Sequence, residues 1–203
     1  MYIYDIKWTT QTAGPSPCCN QRTELFLLGC QKAMLGHPCP GCFNQSLWQV
    51  PKQAKTYTPQ TVAKQIIKFA PQPFLTIGGG EPLDQIEELI TLCYLLKQEG
   101  FHIICYTWRD IQKALINQYG LAFLQSLLKL IMYVDAFIDG PYENDKRIYQ
   151  ENIQDGFLDS IGSSNQHIVL CEPGKLPKSY PLLTVCDFYY DEEQQKLCVK
   201  QGG

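Results

Sequence analysis

Three cysteines close together in the sequence constrain this chain more than any other feature. Eight residues separate Cys30 from Cys39, and Pro40 and Gly41 separate Cys39 from Cys42. A Cys-x-x-Cys pair lets two thiolates turn toward one small centre, and Pro-Gly between them favours a tight bend. Thiolates select iron–sulfur clusters or zinc. No fourth ligand is obvious, so the three cysteines favour a cluster in which one iron has no protein ligand. Catalytic zinc sites differ from structural ones in the same way, because they keep one coordination position open.

A structural zinc site is the alternative interpretation of the same residues. His37 or another cysteine would then supply the fourth ligand, since Cys and His in a short loop suit zinc. The cysteine spacing alone leaves both interpretations open.

Composition predicts one cytoplasmic domain. The chain has 203 residues, of which 45% are hydrophobic, and this suits a single domain over residues 1–203 with its own core. Its formal net charge of -3 gives no electrostatic reason to expect a nucleic acid as partner. No apolar run is long enough for a membrane span, and Met1 to Lys7 lack the pattern of a secretory signal.

Seven of the ten cysteines lie outside the trio. Cys93 falls in an apolar helical pattern and Cys105 in an apolar strand, so both are predicted to be small core residues. The spacing of the others fits no ligand pattern, and a second cluster or a zinc ion is an open alternative for them. They are Cys18, Cys19, Cys171, Cys186 and Cys198.

Hydrophobic periodicity predicts alternating strands and helices, and therefore a parallel sheet with covering helices. Thr58 and Pro59 are typical of a helix start, and Asp84 with Glu87 resembles a capping box. The predicted strands are 2–8, 25–28, 74–77, 101–106, 133–138 and 167–170. Two further helices are predicted over 110–119 and 121–130. In the second of them Leu124, Leu127, Leu128 and Ile131 are predicted to face inward. Residues 143–162 are predicted to be a flexible loop, and 185–190 with 196–200 a hairpin.

Four candidate site residues each follow the end of a predicted strand. They are Cys30, Gly79, Thr107 and Asp139. Because functional groups in such sheets gather beyond the carboxyl ends of the strands, we expect these four residues to share one rim.

Four stretches of the sequence together resemble the radical S-adenosylmethionine superfamily. They are 22–48 with the three cysteines, Thr76 to Leu83 with its Gly-Gly-Gly-Glu-Pro, Asp135 to Tyr142 with Asp-Gly-Pro, and Gly162 to Gln166 with Gly-Ser-Ser-Asn-Gln. They occur in family order, and within the superfamily the chain most resembles the activating enzymes of anaerobic ribonucleotide reductase.

The resemblance implies a fold, two cofactors and a reaction. The fold would be a partial (β/α) barrel with its core at about 22–170 and a small C-terminal extension over 171–203. Cys30, Cys39 and Cys42 would bind a 4Fe–4S cluster whose open iron holds S-adenosylmethionine. One electron would cleave that cofactor to a 5′-deoxyadenosyl radical, which takes a hydrogen atom from a glycine of the partner, a glycyl radical enzyme such as anaerobic ribonucleotide reductase. Flavodoxin or ferredoxin would be the reductant.

The resemblance also implies cofactor-binding residues, each with a structural alternative. Gly79, Gly80 and Glu81 would bind the methionine part, although a glycine-rich turn has other uses. Phe43 would contact adenine, or it is a core residue. Thr107 and Asn165 would lie near the cofactor, although Asn165 also suits a turn.

The chain departs from the family pattern at four points. The family has three residues between its first two cysteines and a Tyr where Phe43 stands. Ile161 replaces an Arg, and Trp108-Arg109 follows Thr107 where the family has Gly-Tyr. The longer cysteine gap and the lost Arg bear on the substrate more than on the cofactor. A small molecule, as in 7-carboxy-7-deazaguanine synthase, or a peptide is therefore an alternative substrate. A non-catalytic zinc-binding module is a third.

Overall fold

The computed structural model describes residues 1–10, 22–152, 157–181, 188–191, 193–194 and 196–199. Cys18, Cys19 and Cys186 lie outside these residues. Among the described residues, the main sheet contains seven strands in the order β1-β2-β3-β4-β5-β8-β9. They are β1 (Ile3–Thr10), β2 (Arg22–Leu27), β3 (Phe74–Gly79), β4 (His102–Tyr106), β5 (Ala136–Asp139), β8 (His167–Leu170) and β9 (Lys178–Pro181).

The four central strands run parallel, as predicted. β2 pairs with β3, β3 with β4 and β4 with β5 in parallel register. Parallel strands are usually buried on both faces of the sheet, so their sequences are short continuous apolar runs. The strands at the two edges were not predicted as antiparallel, yet β1 joins β2, and β8 and β9 join beyond β5, in antiparallel register. The protein is therefore α/β with a mixed sheet.

Five helices connect or flank the strands in the described part of the chain. They are α1 (Gln31–Met34), α2 (Pro59–Phe69), α3 (Ile86–Gln98), α4 (Ile111–Leu115) and α5 (Leu121–Leu130). Thr58 caps α2 as predicted, because its side chain accepts a hydrogen bond from the Thr61 N–H. None of the described helices combines the length and the apolar character that crossing a membrane requires.

The helices cover one side of the sheet and form the main core with it. Fully buried side chains of α2, α3 and α5 pack on those of the central strands; examples are Val62, Ile66, Leu89, Leu92, Leu127, Leu75 and Ile103. Cys93 and Cys105 are buried in this core, as predicted. The helix side is therefore filled. On the opposite side a second, smaller cluster of Ile104, Ala136, Ile138 and Ile168 is also buried, which leaves the β2 and β3 part of that side for a site.

Several local predictions were wrong. Asp84 does not cap α3, which begins at Ile86 after a 3-10 turn, Pro82–Gln85, capped by Glu81. The helix predicted over 110–119 is only Ile111–Leu115. Leu128, predicted to face inward, is 45% exposed, because Leu130 takes the buried position on α5.

The segment predicted as a flexible loop contains a hairpin. β6 (Arg147–Asn152) pairs with β7 (Phe157–Ser163) in antiparallel register. The sequence held a signal for it, since Asp155-Gly156 is a dipeptide typical of hairpin turns. The predicted C-terminal hairpin is present as β10 (Phe188–Asp191) paired with β11 (Lys196–Val199).

Candidate functional site

A cavity of about 280 Å³ lies at the carboxyl ends of the parallel strands and brings most of the predicted site residues together. Those that line it are Cys30, Cys39, Cys42, Phe43, Gly79, Gly80, Glu81 and Thr107. Two predicted residues, Asn165 and Asp139, do not line it, although their neighbours Gln166 and Gly140 do.

Two adjacent backbone hydrogen bonds hold Cys30 against the segment that follows the third cysteine. It follows the end of β2, and its N–H donates to Trp48 O at 2.8 Å while the Gly29 N–H donates to Leu47 O at 2.8 Å. Burial raises the pKa of the Cys30 thiol, and a backbone hydrogen bond at Ala33 opposes that rise. The short 3-10 turn after the third cysteine therefore fixes the first one.

Cys39 and Cys42 lie in one tight turn that packs on a neighbouring segment. The Cys42 N–H donates to Cys39 O at 3.2 Å. Gly41 has a φ of +68°, and a Cβ atom there would lie 2.5 Å from Asn144 Cβ. Only glycine accommodates both the left-handed backbone and this close approach.

Burial also raises the pKa of Cys39, but two groups favour its thiolate. The largest opposing effect is the positive charge of Lys32, followed by a backbone hydrogen bond from Tyr142. Lys32 Nζ lies 3.8 Å from Cys39 Sγ. The site thus carries donors for a thiolate, as metal-binding thiols require.

The glycine turn at the end of β3 packs directly on the Cys30 segment. The Gly80 N–H donates to Leu27 O at 2.9 Å, and the Glu81 N–H donates to Gly29 O at 2.7 Å. A Cβ atom on Gly80 would lie 2.1 Å from Gly29 O. A Cβ atom on Gly79 would likewise lie 2.4 Å from Leu27 N. Backbone packing therefore requires glycine at both positions, and the binding of methionine by this turn stays a prediction.

Glu81 is buried and heavily paired. Its carboxylate accepts hydrogen bonds from Thr107 Oγ1 at 2.7 Å, the Trp108 N–H at 3.0 Å and the Leu83 N–H at 3.1 Å. Arg109 forms ion pairs with Glu81 at 2.9 Å and with Asp84 at 2.7 Å. Burial raises the pKa of Glu81, against the opposing effect of the Arg109 guanidinium.

Asp84 ties this charge network to the cysteine segment. Its second carboxylate oxygen accepts a hydrogen bond from the Gln31 N–H at 2.6 Å, directly after Cys30. The predicted capping role of Asp84 is thus replaced by a link between the glycine turn and the cysteines.

Phe43 lies at the mouth of the cavity and is 51% exposed. Its ring centroid is 4.4 Å from that of Tyr142, and the Arg147 guanidinium carbon lies 4.6 Å from the same ring. The Phe43 ring is therefore a partly exposed surface residue, and the interpretation as a core residue was wrong.

Asn165 and Asp139 support the rim from outside the cavity. Asn165 Nδ2 donates to Pro141 O at 2.7 Å, and Gln166 Nε2 donates to Gly140 O at 2.8 Å. Asp139 accepts a hydrogen bond from the Ile111 N–H at 2.7 Å, and burial raises its pKa to about 6. These contacts hold the Asp-Gly-Pro turn in place.

Sequence reasoning missed the strand residues that line the cavity. Side chains of alternate residues on one strand point to one face. Most of the strand residues in the lining follow that period, namely Glu24, Phe26, Thr76, Gly78 and Tyr106, while Leu25 and Gly79 depart from it. This period of two was the available signal. Asn44, whose Nδ2 donates to Gly79 O at 2.9 Å, was also missed, and no local pattern pointed to it.

The donor set fits a thiolate-bound cluster. Three thiols line one cavity, and hydrogen bonds favour the charged form of two of them. Within the described residues, no three His, Cys, Asp or Glu side chains are grouped so that they could hold a metal ion. In a 4Fe–4S cluster, by contrast, each thiolate binds a different iron.

Comparison with known proteins gives one family and three relatives. A family model described as a 4Fe-4S single cluster domain matches residues 19–169. The chain is 30% identical over 127 residues to the anaerobic ribonucleoside-triphosphate reductase-activating protein of Enterobacteria phage T4, covering 60% of this chain and 71% of the relative. It is 24% identical over 152 residues to the proteins of the same name from Escherichia coli K12 and O157:H7, covering 71% of this chain and 85% of each relative.

Proposed function

Because the chain belongs to the family of 4Fe-4S single cluster domains, we propose that it is a radical S-adenosylmethionine enzyme that activates an anaerobic ribonucleotide reductase. The substrate is a glycine of that reductase, on which the enzyme forms a glycyl radical. The observation that carries the proposal is the meeting of three thiols and the glycine turn at one cavity. The zinc-binding module has no support from the family match or from the relatives.

Cys30, Cys39 and Cys42 would hold a 4Fe–4S cluster, and Gly79, Gly80 and Thr107 would line the binding region for S-adenosylmethionine beside it. When bound, the reduced cluster supplies the electron that cleaves S-adenosylmethionine to a 5′-deoxyadenosyl radical. Phe43 would contact the adenine ring from the mouth of the cavity. Asn165 would act indirectly, through the Pro141 carbonyl that it binds.

Glu81 would orient groups rather than offer a free carboxylate to the cofactor. Its oxygens accept three hydrogen bonds and an ion pair from the protein. These contacts fix the Thr107 hydroxyl and the Trp108 backbone at the wall of the cavity. The cofactor's amino group would then bind to backbone carbonyls of the glycine turn, because a carbonyl oxygen has two lone pairs.

Aromatic side chains would exclude water from the reacting atoms. Trp48, Trp108, Tyr142 and Phe43 line the cavity together with the cysteines. Exclusion of water protects a reactive intermediate from side reactions. The peptide of the partner would enter along the strand face that carries Phe26 and Tyr106.

The sheet would be the partial (β/α) barrel of the radical S-adenosylmethionine type. The parallel strands β2, β3, β4 and β5 are neighbours in chain order, with helices in the connections. A doubly wound sheet would reverse its strand order at a switch point, and these four strands do not. The reductant would be a flavodoxin or a ferredoxin.

Radical formation on the partner tests this function. The protein is reconstituted anaerobically with iron and sulfide, reduced, and mixed with S-adenosylmethionine and an anaerobic ribonucleotide reductase. Electron paramagnetic resonance should then detect a glycyl radical on the reductase, and Cys39→Ala should abolish it. Cofactor cleavage without any radical on the reductase would contradict the proposed partner and favour a small-molecule or other peptide substrate.

A further inference from the structure

The eight residues between Cys30 and Cys39 form a closed turn. α1 begins directly after Cys30, and the His37 N–H donates back to Lys32 O at 3.0 Å. Gly36 has a φ of +86°, which lets the chain reverse there. The longer gap is therefore an ordered turn that returns the chain to Cys39, and its residues can have a fixed place in the site.

The turn brings one cation to a cysteine sulfur. Lys32 Nζ donates to His37 O at 2.6 Å and to Cys39 Sγ at 3.8 Å. It also lies 5.6 Å from the centroid of the Trp108 ring, where a cation is attracted to the ring face. Three contacts thus hold the ammonium group beside Cys39.

Arg109, a buried cation beside the site, is already neutralised. Arg109 forms ion pairs with both Glu81 and Asp84. In the part of the chain that the structure describes, Lys32 forms no ion pair. The positive charge of Lys32 therefore acts on the sulfur with no carboxylate partner among the described residues.

We propose that Lys32 is a positioning residue that acts through Cys39 to make one-electron reduction of the cluster easier. This inference depends on the proposed function, because it takes Cys39 as a cluster ligand. The cluster gains one electron and the external reductant loses one, so the bound cluster becomes more negative by one charge. Hydrogen bonds to the sulfurs and nearby charge set the potential of such clusters, and an adjacent ammonium stabilises the more negative state.

A redox titration of the reconstituted protein tests the proposal without S-adenosylmethionine or partner. Lys32→Met and Lys32→Gln remove the charge, whereas Lys32→Arg keeps it. Lys64→Met is the matched control, because it removes one exposed lysine charge from α2. The midpoint potential is measured by the electron paramagnetic resonance signal of the reduced cluster at fixed potentials of a titanium(III) citrate titration.

We expect both neutral variants to lose at least tenfold in the equilibrium constant for reduction, which is about 59 mV toward more negative potential. Lys32→Arg and Lys64→Met should stay close to the unchanged protein. A neutral variant that holds the same iron and sulfide and keeps the unchanged midpoint would overturn the proposal. So would loss of the cluster in both neutral variants, because Lys32 would then serve assembly.

The two proposals fail separately. If the protein holds a cluster but forms no radical on the reductase, the proposed function fails while the potential of the variants still tests Lys32. If the radical forms on the reductase, but the neutral Lys32 variants have the same midpoint potential as the unchanged protein, only the role of Lys32 is wrong.

Discussion

At the scale of residues, Arg109 balances the buried charges beside the cysteines. Its guanidinium pairs with Glu81, which is 1% exposed, and with Asp84. The guanidinium carbon also lies 4.6 Å from the Trp108 ring centroid. The Arg109 guanidinium, which the family pattern does not include, therefore stabilises the wall of the cavity.

Arg109→Met should lower the free energy of unfolding by about 3–5 kcal/mol, because it leaves Glu81 buried without its partner. Urea unfolding of the cluster-free protein under reducing conditions measures this. Lys113→Met removes a surface pair with Asp110 and should change little. The double variant with Glu81→Gln should recover part of the loss, and equal stability of Arg109→Met and Lys113→Met would contradict the account.

His102 makes the protein sensitive to acid. Its ring is 3% exposed, and burial lowers its pKa to about 4 from 6.5. Below pH 6.5 the unfolded chain binds a proton that the folded chain does not, so stability falls as pH decreases toward 4. The full effect is roughly 3 kcal/mol.

His102→Gln should therefore lose less stability than the unchanged protein between pH 7 and pH 4. Urea unfolding at several pH values measures the difference, with His37→Gln, an exposed position, as control. Asp139, whose pKa burial raises to about 6, acts in the opposite direction but is common to all three proteins. If the free energy of unfolding falls equally with pH in His102→Gln and in the unchanged protein, the burial of His102 does not cause the loss of stability in acid.

The cysteines of the site could be predicted from the sequence, but the side-chain contacts around them could not. Cys30, Cys39 and Cys42 were identified from spacing, and they do line one cavity. The pairing of Glu81 with Arg109 joins residues from two different strand ends, and no local pattern reports such a contact. The contact of Lys32 with Cys39 likewise depends on how the intervening turn closes.

At the scale of elements, the contact between the glycine turn and the Cys30 segment holds the rim together. Gly80→Ala places a Cβ atom 2.1 Å from Gly29 O, so the two segments must separate. We expect a loss of about 3 kcal/mol in the free energy of unfolding and lower iron content after reconstitution.

Gly78→Ala is the matched control for this contact. A Cβ atom there meets no atom within 4 Å, so stability and iron content should stay the same or rise slightly. If Gly80→Ala binds iron as well as Gly78→Ala does, the backbone contact is not what positions Cys30.

Strands were easier to predict than their directions. β3, β4 and β5 are short apolar runs, and such runs in a sequence indicate buried strands. The antiparallel edges formed by β1, β8 and β9 depend on long-range pairing, which local residues do not specify. The hairpin of β6 and β7 was missed because polar residues were taken as evidence for a loop.

At the scale of the whole molecule, the fold divides the sheet into a structural side and a chemical side. Helices α2, α3 and α5 cover one side and form the core. The other side and the carboxyl ends of β2 to β5 surround the cavity with the cysteines and the glycine turn. Residues 31–38, between the first two cysteines, contribute no side chain to this core.

We propose that Cys30, Cys39 and Cys42 together bind a cluster that cleaves S-adenosylmethionine, and every other role proposed for the site depends on this. The most direct measurement is the amount of 5′-deoxyadenosine formed by anaerobically reconstituted protein after reduction with dithionite. The unchanged protein and Cys198→Ser, which alters a cysteine outside the cavity lining, should form it, and Cys30→Ala, Cys39→Ala and Cys42→Ala should not. Retained turnover in Cys39→Ala would contradict the ligand assignment and the account that depends on it.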